Sequence, residues 1–404
     1  MFLHFGVNTF TDREWGLGNE PESLFNPTAL DARQWARAAR AGGFRRMILT
    51  AKHHDGFCLW PSAVTTHSVK SSDWRGGSGD VVREFVDAAR AEGLEPGLYL
   101  SPWDRHEPSY GDSARYNDFY CAQLTELLTR YGPLVEIWFD GANGEGPNGK
   151  KQVYDWDRYH KLVRQHQPRA LIFSDAGPDL RWVGNEDGSA GDPNWCAVDP
   201  VVVPYPGVGG EAVTQELQHG DPHGSVWRPG EADVSIRPGW FWHEAEDAKV
   251  KSPSALIDLY ASSVGRNAGL LLNVPPNRAG LLSDPDVLNL KTFGDTRSAW
   301  FSHNLAGSAF VRHEPGDVVL TLAKASAFDT VVMREEIERG QMVETFTIET
   351  DDGSGWKRLA DGATIGAKRI IRVNPVTAGR VRVSMQTSLG RPSLSEVALY
   401  QSPP

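Results

Sequence analysis

Along roughly the first three quarters of the chain, short apolar runs alternate with amphipathic stretches of helical period. "DARQWARAARAGG" (31–43), "DVVREFVDAARAEG" (80–93), "YNDFYCAQLTELLTRYG" (116–132) and "YDWDRYHKLVRQHQP" (154–168) repeat apolar residues three and four apart, and the first three stop on glycine. That spacing predicts helices. Between them, "FLHFGVNTF" (2–10), "FRRMILTAKHHDG" (44–56), "LEPGLYLSPWD" (94–104), "LVEIWFDG" (134–141) and "ALIFSDAGPD" (170–179) predict strands. Further on, "DVSIRPGWFW" (233–242) and "AGLLLNVPPN" (268–277) read as strands flanking a helix, "SALIDLYASSVGRN" (254–267). Residues 190–225 are rich in loop formers, and the sixth strand sought there has no clear position.

Regular β-α alternation implies a parallel sheet, either doubly wound or closed as a (β/α)8 barrel. No GxGxxG or GxxxxGK[ST] follows the first strand, which argues against a nucleotide-binding sheet and favours the barrel. After about residue 300 the texture changes to short strands broken by Gly, Asp and Pro, the pattern of an all-β sandwich. The junction is expected between 293 and 304, dividing the chain into a barrel over 1–298 and a C-terminal β-sandwich over 299–404. The sandwich carries no evident aromatic cluster, so it is read as a packing partner of the barrel rather than a binding module.

Composition narrows the function. The 404 residues carry a net charge of -11 and no basic cluster, so a phosphate backbone is a poor partner. Three cysteines, Cys58, Cys121 and Cys196, form neither a CxxC pair nor a zinc-ligand spacing, and no disulfide framework is expected. No apolar run reaches the length of a membrane-spanning helix, and "MFLHFG" has no signal-peptide pattern. The chain opens directly on a predicted strand, so an upstream segment is expected; secreted, periplasmic and cytoplasmic locations all stay open. Fourteen tryptophans are the strongest compositional hint, because several, including Trp15, Trp60, Trp103, Trp182, Trp240 and Trp242, sit beside turn residues. Indole is good core material, but flat rings at the mouth of a cleft also suit sugar faces.

In a (β/α)8 barrel the active site lies at the C-terminal ends of the strands. Those ends carry His4 and Glu14-Trp15, then His53 and His54, then Tyr99 and Trp103, then Asp140, then Arg181 and Glu186, and finally Trp240. Each has a structural alternative: Asp140 could form an Asx turn before Gly141, and Glu186 could be a solvated loop acid. Structural needs alone would not gather so many acids, imidazoles and indoles at one rim. His53 and His54 are adjacent, so on a strand they would point to opposite faces, which is poor chelating geometry; no metal or cofactor is expected. No GxSxG elbow is present. Paired carboxylates with histidines and tryptophans remain, the equipment of a glycoside hydrolase.

The motifs "FLHFGVNTF", "REW", "AKHHDGFCLW", "GLYLSPWDRH", "WFDG", "RWVGNE" and "LLLNVPPN" resemble the α-L-fucosidases of glycoside hydrolase family 29, over nearly the whole chain. The most specific are "KHHDGF" and "WFDG", and the "GNE" loop further resembles the subgroup preferring α-1,3/1,4-linked fucose on branched, Lewis-type glycans. The resemblance implies a retaining mechanism with Asp140 as nucleophile and Glu186 as general acid/base. Retention calls for carboxylates roughly 5–5.5 Å apart, a Glu186 protonated at rest and an Asp140 kept ionised by nearby donors. It further implies that His4, Glu14, Trp15, His53 and His54 bind the sugar, with Trp240 against the C5 methyl and Tyr99, Trp103 and Arg181 as additional contacts. The partner is then a fucosylated oligosaccharide or glycoprotein glycan, with no nucleic acid and no membrane. Two departures stand out: the family's helical lead-in before "FLHFG" is absent, and "EPGLYLSPWD" differs from the tyrosine-rich form of broad-specificity members. A broad-specificity α-L-fucosidase acting on α-1,2 and aryl fucosides, a non-catalytic carbohydrate-binding protein and a metal-dependent barrel hydrolase are the competing readings.

Overall fold

The computed structural model describes residues 1–314 and 316–403, without the side chain of Glu314. Eight parallel strands close a barrel: β1 (Phe2–Leu3), β2 (Arg46–Lys52), β3 (Glu95–Leu100), β4 (Glu136–Trp138), β5 (Leu171–Ser174), β6 (Leu180–Trp182), β7 (Gly230–Ser235) and β8 (Ala268–Asn273). The helices are α1 (Val7–Thr11), α2 (Ala32–Ala41), α3 (Val81–Ala91), α4 (Ser113–Arg130), α5 (Trp156–His166), α6 (Glu211–His219), α7 (Pro253–Ser262) and α8 (Asp284–Trp300). Asp31, Asp80, Asp112 and Asp155 each accept a backbone N–H from the first turn of α2, α3, α4 and α5. These caps fix where four of the helices begin.

Period-two alternation divides the core into two layers. Leu49 on β2, Ile137 on β4 and Leu272 on β8 face outward to helix residues such as Trp35, Phe85 and Leu127. Phe2, Ile48, Tyr99, Trp138, Phe173 and Leu271 face inward and fill the barrel, with Leu180 and Trp182 packed against them.

Three strand predictions need correction. "FLHFGVNTF" is strand only over Phe2–Leu3 and turns into α1. The ladder stops because side chains take over its backbone groups: the Asn273 Oδ1 accepts the His4 N–H at 3.1 Å, and the Thr50 hydroxyl oxygen accepts the Phe5 N–H at 3.2 Å. The sixth strand is Leu180–Trp182, well before 190–225. It enters beside the upper end of β5, with Phe173 level with Leu180, so no helical crossover announces it in the sequence. The seventh strand starts earlier, at Gly230, and ends at Ser235, leaving Trp240 in the loop beyond.

The C-terminal region is a six-stranded antiparallel β-sandwich: β9 (Phe310–Glu314), β10 (Asp317–Glu335), β11 (Thr345–Asp351), β12 (Trp356–Ala363), β13 (Arg369–Gln386) and β14 (Leu394–Tyr400). The long strands β10 and β13 break register at two places along their pairing, and residues from both halves, such as Val318, Met333, Ile348 and Leu399, share one core. The sandwich meets the barrel on α7 and α8, where Ile257, Tyr260 and Trp300 pack against Val332, Ile370 and Tyr400, and on the β6–β7 segment and the start of β8. Gln341 donates to the Asn194 carbonyl and accepts from the Cys196 N–H, both at 2.9 Å, and Asn267 Oδ1 accepts from the Ala367 N–H at 2.7 Å.

Candidate active site

A cavity of about 340 Å³ opens at the C-terminal mouth of the barrel. Its floor is the inward aromatic layer, Phe2 and Trp138, and its walls bring together His4, Glu14, Trp15, His53, His54, Asp140, Glu186 and Trp240. Asp140 sits two residues beyond β4, where the chain has left the ladder. The Tyr99 hydroxyl donates to its Oδ2 at 3.0 Å and the Ala142 N–H donates to its Oδ1 at 2.7 Å, so both oxygens are oriented. Tyr99 thus reaches the site through Asp140 rather than forming the cavity wall.

The histidines are neutral hydrogen-bonding groups. Asn273 donates through its amide nitrogen to the Trp240 carbonyl at 2.8 Å, which leaves its Oδ1 to accept from His4 Nδ1 at 2.9 Å. The Ser101 hydroxyl donates to the Trp103 carbonyl, so Ser101 Oγ accepts from His54 Nδ1, 2.7 Å away. In both rings the proton lies on Nδ1 and Nε2 is left as an acceptor. Burial pushes His4 down to about 3 and His54 down to about 4, the latter opposed by Asp140, so neither charges near neutral pH. His54 Nε2 lies 3.8 Å from Asp140 Oδ2. Contrary to the strand-face expectation, His53 and His54 both line the cavity with ring centroids 4.0 Å apart. The reason is that β2 ends at Lys52 and the pair occupies a turn, where alternation does not apply. Buried Lys52 anchors that turn through a 2.9 Å ion pair with Asp104.

Glu186 reaches the cavity from the loop after β6, with much of its side chain exposed. Loss of water around the carboxyl raises its pKa, the Trp240 indole N–H at 3.3 Å opposes this, and the charges of Asp140 and Glu14 add to the rise. Trp240 is itself held by Glu14, whose Oε2 accepts the Trp240 N–H at 2.7 Å. His243 clamps Glu14 in turn, with Nε2 2.7 Å from Glu14 Oε1 and Nδ1 2.7 Å from Asp12. Trp15 is 60% exposed and stands edge-on to Trp103 at 5.7 Å, so Trp103 supports a rim ring and the His54 imidazole at 4.7 Å.

Arg181 is not brought into the cavity. It alternates outward on β6 between inward Leu180 and Trp182, and its guanidinium donates to the Leu217 carbonyl at 3.0 Å and to Asn194 Oδ1 at 2.7 Å. The cavity instead gains Asp233, which the sequence reading passed over. Asp233 accepts the Trp182 indole N–H at 2.7 Å, and burial beside Glu186 raises its carboxyl well above the usual range. The available signal was the alternation Glu231-Ala232-Asp233-Val234, which puts both acids on one face of a strand.

Carboxylates over an aromatic floor, ringed by neutral imidazoles at the mouth of a (β/α)8 barrel, are the outfit of a glycoside hydrolase. The Alpha-L-fucosidase family model matches residues 1–304. A putative alpha-L-fucosidase 1 of Oryza sativa subsp. japonica is 46% identical, covering 99% of this chain and 82% of its own. The crystal structure of a putative alpha-L-fucosidase from Bacteroides ovatus superposes with a TM-score of 0.91 at 46% identity, over 100% of this chain and 72% of that one. A Ruminococcus gnavus GH29 fucosidase in complex with fucose gives a TM-score of 0.88 at 32% identity, over 100% and 92%. The chain belongs to the α-L-fucosidase family, glycoside hydrolase family 29.

Proposed function

We propose that this enzyme is a retaining exo-α-L-fucosidase that removes α-1,3/1,4-linked L-fucose from branched, Lewis-type oligosaccharides or glycoconjugates. The observation that carries the reading is one cavity holding two carboxyl groups in opposite settings. Asp140 accepts two oriented hydrogen bonds, and Glu186 is biased toward its protonated form. Asp140 attacks the anomeric carbon while the glycosidic C–O bond breaks and Glu186 gives its proton to the departing oxygen. A fucosyl ester on Asp140 results. Water then adds to the anomeric carbon, Glu186 takes its proton, the ester C–O bond breaks, and both carboxyl groups return to their starting states.

His4, His53, His54 and Glu14 hold the sugar hydroxyls, the free Nε2 atoms of His4 and His54 as acceptors. Trp240 covers the C5 methyl and Trp15 closes the rim. Buried hydroxyl partners discriminate strongly, because an analogue lacking the hydroxyl leaves them unpaired. Fucose in the Ruminococcus gnavus relative supports the sugar, and the "GNE" and "EPGLYLSPWD" stretches support the linkage. Residues 1–298 form the catalytic unit, with 299–404 as its packing partner.

Two measurements test this. Proton NMR of fucose as it forms should show the α anomer first; the β anomer first would remove Asp140 from its role as nucleophile. Fucose release should be strong from a Lewis-type trisaccharide and weak from an aryl α-L-fucoside. Release from the aryl compound alone would establish the broad-specificity reading instead.

A further inference from the structure

A second cavity, of about 460 Å³, opens at the end of β5. Its walls are Tyr154 and Trp156 from the start of α5, Ala176–Pro178 after β5, Tyr205 from the β6–β7 segment, and Arg228. Two features mark it as built for a ligand. The Arg228 guanidinium makes no ion pair or hydrogen bond among the described residues, and its Nε is buried without a partner, as is His160 Nε2 in the same wall. Burial alone lowers the Arg228 pKa, which is the signature of a cation lacking a counter-charge. The second feature is aromatic: Tyr205 is 54% exposed, with Trp156 and Tyr154 half-buried beside it. Gly177 makes the arrangement possible, since a Cβ there would lie 2.7 Å from Arg228 Cδ and Nε.

The cavity also touches the hydrolytic site. The Tyr154 hydroxyl donates to the Ala142 carbonyl at 2.9 Å, and Ala142 is the residue whose N–H orients Asp140. Around the barrel, β5 stands between β4, which leads to Asp140, and β6, which leads to Glu186. The loop after β4 carries both Asp140 and Tyr154, and the β6–β7 segment carries both Glu186 and Tyr205, so the two cavities are built from the same two loops.

We infer that this cavity is a subsite for a neutral pyranose of the defucosylated part of the glycan, with Tyr205 and Trp156 packing on the ring and Arg228 donating to its hydroxyls. Exposed Asp157 supplies an acceptor in the same wall, so the lining offers both halves of what a neutral sugar hydroxyl needs. The inference rests on the proposed branched-glycan substrate, and the experiment separates the two. Calorimetric titration of the wild type with β-galactosyl-N-acetylglucosamine, in saturating free fucose, should give saturable binding. Tyr205→Ala and Arg228→Met should each weaken it about tenfold, the scale of a lost stacking or charged hydrogen-bond contact. Neither substitution removes a polar partner that the fold uses. Both should lower kcat/KM on the trisaccharide by a similar factor through KM, while turnover of the aryl fucoside stays within about twofold. No disaccharide binding by the wild type, or unchanged binding in both variants, overturns the subsite whatever linkage the enzyme prefers. Binding that behaves as stated in an enzyme inactive on the trisaccharide leaves the subsite standing and overturns the linkage reading.

Discussion

The two ends of the barrel use the same side chains to opposite effect. At the mouth, Asp140 follows β4 and Asp233 lies on β7; toward the base, the same strands carry Glu136 and Glu231. Trp138 lies between the levels, with its ring on the floor of the cavity and its indole N–H donating to Glu231 Oε1 at 3.1 Å. Each level lines a cavity, the upper acids one of about 340 Å³ and the lower pair one of about 370 Å³. The lower pair face each other: both Glu136 oxygens are buried without a hydrogen-bond donor, and Arg46 is 3.6 Å away. Such a pair is tolerable only if a proton is shared, and burial together with Glu231 raises Glu136 well above the usual carboxylate range. An acid inside a barrel therefore says little by itself. What separates the two levels is the set of donors: two of them orient Asp140, and neither oxygen of Glu136 has one.

The sharpest way to break this contrast is at Asp140. Asp140→Ala should lower turnover by about 10⁴-fold on every fucoside while the thermal transition stays near that of the wild type. Near-normal activity in a folded variant would place the chemistry elsewhere. Glu186→Ala follows in size. It should cost about 10³-fold on the trisaccharide and far less on an aryl fucoside, whose leaving group needs little protonation. Equal losses on both would contradict the acid role.

The sequence made the mouth legible more readily than the walls around it. Asp140 and the His53–His54 pair stand in compact motifs at the ends of apolar runs, so their place at strand ends could be inferred from periodicity. Glu186 reads only as an acid after the fifth predicted strand, and takes its role from the resemblance of its "GNE" loop. Arg181 could not be resolved in that way. A three-residue strand with no helix before it leaves no period to say which side chain faces in, and Arg181 proves to be the outward one. Asp233 was hidden for a different reason. The pattern puts it first in a strand over 233–242 rather than fourth in Gly230–Ser235, and only the closed barrel brings β7 beside β6, where Trp182 pairs with Asp233. The clamp of His243 on Glu14 joins residues 229 positions apart, a contact that no local pattern encodes.

Trp240 allows a finer test of the mouth. Its indole N–H lowers the Glu186 pKa against the larger effect of desolvation. On the acid role proposed for Glu186, kcat/KM should fall as pH rises through that pKa. Trp240→Phe removes the opposing hydrogen bond, raises the pKa further and should move the alkaline limb up by a few tenths of a pH unit, on the order of a partly exposed hydrogen bond. An alkaline limb that stays put would detach Glu186 from the acid step. KM should rise about threefold as well if the ring packs on the sugar.

The smallest expected effect on activity comes from the base, and it is informative for that reason. Glu136→Gln supplies an amide that can donate to Glu231 without a shared proton. In the wild type, Glu136 has a folded pKa above its ordinary value of 4.5, so the folded chain holds that proton more tightly than the unfolded chain. The associated stability is fully present below about pH 4.5 and declines as pH rises through the window up to the raised value. The variant should lose that decline. Its melting temperature should match or exceed that of the wild type by about 2 °C at pH 8, with no such gain at pH 4, and kcat/KM should stay within about twofold. An unchanged pH dependence of melting would show that the lower pair is not coupled to folding. A substantial loss of activity would show that the base acts on the mouth, and Trp138, which touches both levels, would be the route.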